Sequence, residues 1–115
     1  MENNFDMVEN ACEDYPGWAK IIREIHAKLY YLDEDYAIEQ IKEKFGGLRY
    51  YYFIQGDNKD PIVDEIANDV VIEGERKSYN CCEVCGDFGW PRSNGWVKTL
   101  CDEHADGRPA IIKYY

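Results

Sequence analysis

Two Cys/His pairs constrain this chain more than anything else in it. Cys82-Glu83-Val84-Cys85 is followed, after fifteen residues, by Cys101-Asp102-Glu103-His104. Two residues between the members of each pair let one tight turn aim both side chains at a common ion. Three thiolates and one imidazole then make a four-coordinate zinc set. Four protein ligands leave no open position for water or substrate, so a zinc held this way is structural rather than catalytic. The competing reading is a pair of disulfides, or unrelated buried thiols. Five cysteines, an odd number, and an acidic, polar Met1-Glu2-Asn3-Asn4 start with no secretory-signal character favour a reducing cytosol. There, such spacing means metal more often than disulfide. Cys81, beside Cys82, is an alternative ligand, although the shorter spacing favours Cys82. Cys12 has no partner nearby in sequence and reads as a small buried hydrophobe.

The residues between the pairs extend this reading. Gly86 suits the left-handed turn that follows a Cys-x-x-Cys knuckle, and Asn94-Gly95 is a hairpin signal between Phe88–Arg92 and Trp96–Leu100. Cys101 and His104, three apart, are expected on one face of a short helical turn after the second strand. Knuckle, hairpin and short helix, in that order, resemble a treble-clef zinc finger.

Upstream, Phe5, Val8 and Cys12 recur at helical spacing within an acidic stretch, which suggests a short first helix. After Pro16, the positions Trp18, Ile21, Ile22, Ile25 and Leu29 form an apolar stripe, predicting a helix over about 16–31. That stripe reads as core rather than as a binding groove. His26 falls off it and reads as a solvated side chain.

Residues 33–55 admit two readings. Ile38, Ile41 and Phe45 have helical spacing, with Asp33 as a cap and Gly46-Gly47 as a stop. Leu48–Ile54, bulky on both faces, reads as a strand that needs a neighbour for its backbone groups. Ala37–Lys44, turned back through Phe45-Gly46-Gly47, is the nearest candidate, so a hairpin is expected despite poor alternation in its first arm. Gly56–Lys59 reads as a loop. Asp60-Pro61 then opens a helix over 61–78, with Val63, Ile66, Ala67 and Val70 as its buried stripe and Gly74 weakening its later part. Ala110–Tyr115 is apolar enough to add an edge strand or to pack as a tail.

The predicted architecture is α+β in one domain, 1–115. N-terminal helices, a β-hairpin and a connecting helix occupy 1–80, and a treble-clef-like zinc finger occupies 81–106. No apolar run is long enough to span a membrane. Twenty-three acids against thirteen bases give a formal charge of −10, which repels bare nucleic acid and favours a basic protein surface as partner. Glu65, Asp69 and Glu73, four apart on the third helix, read either as a solvated face or as a partner-facing one that imitates a phosphate row. Trp90, Arg92, Trp96 and Lys98 on the finger are of the types that anchor interfaces, unless the indoles only cover the metal site.

The strings Gln40-Ile41-Lys42-Glu43-Lys44-Phe45-Gly46-Gly47-Leu48-Arg49-Tyr50-Tyr51 and Cys82-Glu83-Val84-Cys85-Gly86, with Gly95-Trp96 and Thr99–His104, resemble those of small, largely uncharacterised proteins encoded by bacteriophages and prophages. The resemblance covers about 36–55 and 81–105. It implies a phage context, a bacterial cytoplasm and one structural zinc, and it brings no activity with it. The expectation is a non-enzymatic interaction protein that docks on a host protein and inhibits a nucleic-acid-binding defence system. The alternatives are a nucleic-acid-binding or transcription-modulating finger and, last, a metal-dependent nuclease. The nuclease needs further histidines, and only His26 is left beside His104.

Overall fold

The first and last helices start where the sequence supplies a capping side chain, and the middle one starts from a proline turn. In the computed structural model, which describes residues 3–56 and 60–111, α1 runs Asn4–Asp14 behind Asn3, whose Oδ1 accepts the Asp6 N–H at 2.8 Å. The expected helix over 16–31 begins as a 3-10 turn, Pro16–Trp18, and continues as α2, Ala19–Leu32. α3 spans Pro61–Ser78, with Asp60 accepting the Ile62 amide and Pro61 in the first turn. The loop expected at 57–59, the start at Met1-Glu2 and the tail at 112–115 lie outside the described residues.

The ambiguous stretch is a hairpin. β1, Ala37–Lys44, pairs antiparallel with β2, Gly47–Phe53. Register shifts between Ile38 and Gln40, so Glu39 is an extra, bulged residue. That bulge places Ile38 and Ile41, three apart, on the same side of the strand, which is why the segment imitates a helical period. Phe45 and Gly46, both left-handed at φ 55° and 84°, make the two-residue turn. β2 alternates: Leu48 and Tyr50 are buried, while Tyr51 and Phe53 face outward.

All three helices contribute to one apolar cluster with the hairpin. α1 packs on β1, α3 packs on β2, and α2 packs against both helices. Trp18, Ile22, Ile25, Leu29, Leu48 and Ala67 are the buried centre. Helix side chains, not further strands, satisfy the hairpin's edges. Asn4 Oδ1 accepts from the Ile38 amide, Ser78 Oγ from Leu48, and Glu75 Oε2 from Tyr50, all at 2.8–2.9 Å. Asp33 does not cap a helix; its carboxylate takes the amides of Asp35, Gln55 and Gly56.

The stripe on α3 differs from expectation. Its buried residues are Ala67, Val71, Gly74 and Ser78, while Ile66 is exposed. A Cβ at Gly74 would lie 2.5 Å from Ile25 Cδ1, so this glycine sets the close approach of α2 and α3 instead of simply weakening the helix.

His26 also departs from its expected place. It is half-buried, with Nδ1 2.5 Å from Tyr36 Oη, which is 2.8 Å from Tyr50 Oη. Burial lowers the His26 pKa and raises that of Tyr36 to about 12. Among the described residues no helix is long and apolar enough to cross a membrane.

Candidate metal centre

Cys82–Cys85 forms a turn closed by the Gly86 N–H to Cys82 O bond at 2.9 Å, and Gly86 takes φ 86° as its sequence position demands. The Asp87 amide points at Cys85 Sγ at 3.5 Å. A second hairpin follows, β3 at Trp90–Arg92 and β4 at Lys98–Leu100, shorter than expected and joined through Asn94-Gly95, both at positive φ. Leu100 delivers the chain into Cys101–His104. These four residues are a turn, closed by the His104 N–H to Cys101 O bond, where a short helix was expected.

The ligand atoms of Cys82, Cys85, Cys101 and His104 all lie within 4.8 Å of one another. A zinc-sized tetrahedron of thiolates and imidazole has edges of roughly 3.5–3.8 Å. Here Cys85 Sγ and Cys101 Sγ are 3.6 Å apart, and His104 Nδ1 is 3.3 Å from Cys101 Sγ and 3.9 Å from Cys82 Sγ. The four residues fit a single ion.

Burial opposes a charge on Cys82, but the amides of Cys101, Cys85 and Val84 outweigh it and bring its pKa down to about 7. Cys81 is not part of the set: its thiol faces the carbonyls of Gly17 and Gly86, at 3.2 and 3.5 Å. Cys12 is buried beside the Ala19 carbonyl, as its isolation in sequence suggests.

Two docking contacts hold the centre to the rest of the chain. On one side the Pro16–Trp18 turn meets the knuckle: Gly17 N–H donates to Glu83 O at 2.8 Å, and Trp18 Nε1–H to Cys81 O at 2.7 Å. On the other side the tip of the first hairpin meets the second. Thr99 Oγ1 donates to Gly46 O at 2.6 Å, Trp96 Nε1 to Glu43 Oε1 at 2.7 Å, and Phe45 stacks on Trp96 at a centroid distance of 5.9 Å. The sequence signalled neither contact, because both join residues more than fifty positions apart. Glu83, within the knuckle, is buried with Oε1 unpaired; burial raises its pKa while Lys98 pulls it down.

The expected interface residues separate. Arg92 is a correction: it is 6 % exposed and turned inward, donating to Leu100 O, Arg108 O and Asp102 Oδ1 at 2.8–3.0 Å. It braces the strand that leads to Cys101 and the chain beyond His104, so it has no fork left for a partner. Trp96 is committed to the hairpin contact just described, though still part-exposed, and Lys98 is half-buried. Trp90 is exposed, its ring set against Phe88 edge-to-face at 5.0 Å. Glu65, Asp69 and Glu73 are all exposed on α3. Helical phase places them in one arc with Ile62, Ile66 and Ile72, which are also exposed.

Among the described residues, fold and centre together define an α+β arrangement of three helices and two small hairpins with a Cys₃His cluster able to hold one metal ion. No family model, curated protein or solved structure matches the chain.

Proposed function

We propose that the chain is a non-catalytic interaction protein. One structural zinc sits in a treble-clef-like finger, and the exposed face of α3 engages a basic protein surface. The observation that carries this reading is the composition of that face: three isoleucines interleaved with Glu65, Asp69 and Glu73. Carboxylates alone are commonly a solvated stripe, but exposed isoleucines between them suit a partner that offers both apolar contact and positive charge. The phosphate backbone of nucleic acid offers neither. With Arg92 buried, the finger also lacks its strongest phosphate ligand, which weighs against direct nucleic-acid binding.

Zinc fits the donor chemistry, since soft thiolates with one imidazole in a closed tetrahedron are its structural set. On the expectation of a phage context, the partner in this reading is a bacterial host protein whose basic groove itself grips nucleic acid. Occupying that groove with the α3 face competes with nucleic acid and gains on-rate from electrostatic steering.

The test is capture of proteins from host lysate on the immobilised chain, in parallel with the triple variant Glu65→Lys, Asp69→Lys, Glu73→Lys. The expected result is a basic, nucleic-acid-binding protein that is eluted by salt, competed off by its own nucleic acid and absent from the variant, with metal content unchanged at one zinc per chain. Capture that survives both the variant and added salt would discard the acidic face as the binding surface.

A further inference from the structure

Cationic and aromatic side chains come together where β2, the end of α3 and β3 meet. A cleft of about 580 Å³ opens there between Arg49, Arg76, Tyr79 and Trp90, with Phe45 and Pro91 also in its walls. None of the described residues lining it is acidic, in a chain with twenty-three acids.

Its walls are held in place. Tyr79 packs so closely on Gly47 that a Cβ there would sit 2.3 Å from the ring. Arg49 lies over the Tyr79 ring, 5.6 Å from its centroid, and donates one terminal nitrogen to the Tyr79 hydroxyl at 2.6 Å and the other to Leu48 O at 2.9 Å, which leaves the second hydrogen on each for a ligand. Glu75, which also acts on Arg49, gives Oε2 to the Tyr50 amide. Arg76 is less committed: its side chain is 75 % exposed and only 3.9 Å from Glu73, a surface pair of little strength. Phe45 is fixed by Trp96, and Trp90 by Phe88.

The geometry points to a binding site for a free nucleoside monophosphate, with the base against the Trp90 indole and the phosphate between Arg49 and Arg76. Guanidinium forks match phosphate oxygens, and an exposed indole stacks on any base. The volume is that of a small-ligand pocket. The choice of a free nucleotide over a strand rests on charge. Arg49 and Arg76 line the cleft while their acidic neighbours Glu75 and Glu73 do not, so a single bound phosphate meets the two guanidiniums. A polyanion leaving it would run along a surface of net charge −10. This site shares the end of α3 with the acidic face, since Glu73 approaches Arg76, but its ligand and its readouts are separate from those of the α3 partner.

The experiment titrates the full chain with adenosine 5′-monophosphate, adenosine and a 5′-phosphorylated oligoadenylate, read by calorimetry and tryptophan fluorescence. The monophosphate is expected to saturate, to quench Trp90 emission, and to bind at least about tenfold more tightly than adenosine. Arg76→Gln should weaken it by about tenfold with the melting temperature unchanged, and Trp90→Phe should remove the quench. Equal affinity for adenosine, absence of saturation at millimolar ligand, or an unaffected Arg76→Gln would overturn the assignment. Tighter binding of the oligoadenylate would overturn the free-nucleotide form of it, giving the cleft to a nucleic-acid end.

Discussion

Gly17→Ala tests whether the N-terminal turn and the metal centre form one unit. An alanine Cβ at this position would lie 1.8 Å from Cys82 O, 2.6 Å from Gly86 N and 2.7 Å from Glu83 C, all of them knuckle backbone. To restore even a 3.0 Å separation, the Cys82 carbonyl must withdraw by about 1.2 Å. No flexible side chain can absorb that. The shift strains or breaks the Gly17 N–H to Glu83 O and Trp18 Nε1–H to Cys81 O bonds, each worth about 1 kcal/mol net. Overpacking adds roughly 1–3 kcal/mol. The total, about 3–5 kcal/mol, corresponds to a fall of roughly 12–20 °C in melting temperature for a domain of this size.

The knuckle supplies Cys82 and Cys85, so the same displacement should weaken metal affinity, by about 10–100-fold if it acts as changes around a metal site usually do. Calorimetric melts and competition with a chromophoric chelator read the two effects. Gly95→Ala is the matched control. Unlike Gly17 it sits at positive φ, and a Cβ there meets nothing within 4 Å, so its cost is conformational alone, about 1–2 kcal/mol. A Gly17→Ala chain that melts within a few degrees of the parent and binds metal unchanged would refute the coupling.

Arg92→Lys should destabilise the chain by about 2–4 kcal/mol in urea denaturation, because an ammonium cannot reach Leu100 O, Arg108 O and Asp102 Oδ1 together. Most of that loss belongs to the buried Leu100 carbonyl, since the Asp102 side chain is 99 % exposed. For His26, burial depresses the folded-state pKa below 6.5, so its contribution is fully present above about pH 6.5 and is lost as pH falls through the depressed value. Glu75 and Glu83, whose pKa values are raised by burial, act in the opposite sense. The difference in melting temperature between the parent and His26→Asn, followed from about pH 7.5 to 5, therefore isolates the histidine and should shrink toward the acid end.

The residues that were legible are those whose role is fixed by near neighbours. Ligand spacing at 82–85 and 101–104, the Asp60-Pro61 cap and the α2 stripe all act within one or two turns, and the structure has each in place. Illegible features have a common cause in long-range packing. The bulge at Glu39 mimics a helical period because it inserts one residue into a strand whose partner is set elsewhere. The phase of α3 is misread because two of its core positions, Gly74 and Ser78, are not apolar: one admits Ile25 and the other accepts the Leu48 amide. Arg92 is misplaced because an arginine on a short strand between metal-ligand pairs looks like an interface residue until the carbonyls around it are known. His26 is missed because its partner, Tyr36, lies beyond the end of its own helix.

The same long-range packing changes what the metal is for. A finger that closed only on itself would melt alone when stripped of its ion. Here Cys82 and Glu83 form the surface on which Gly17 and Trp18 rest, and Thr99 and Trp96 form the surface on which Gly46 and Phe45 rest. Trp18 is fully buried in the main cluster and also donates to the Cys81 carbonyl, so one side chain belongs to both parts. Displacing the knuckle therefore withdraws a hydrogen-bond acceptor from the centre of the helical core. Displacing β4 releases a turn in which Phe45 holds a left-handed conformation that bulky residues rarely adopt. The strain at Phe45 is sustained by its stacking on Trp96 and by the Gly46 N–H to Glu43 bond. The strings Gln40–Tyr51 and Thr99–His104, which stand out in the sequence, are in this sense two halves of one contact, and the ion fixes the half that the apolar core does not reach.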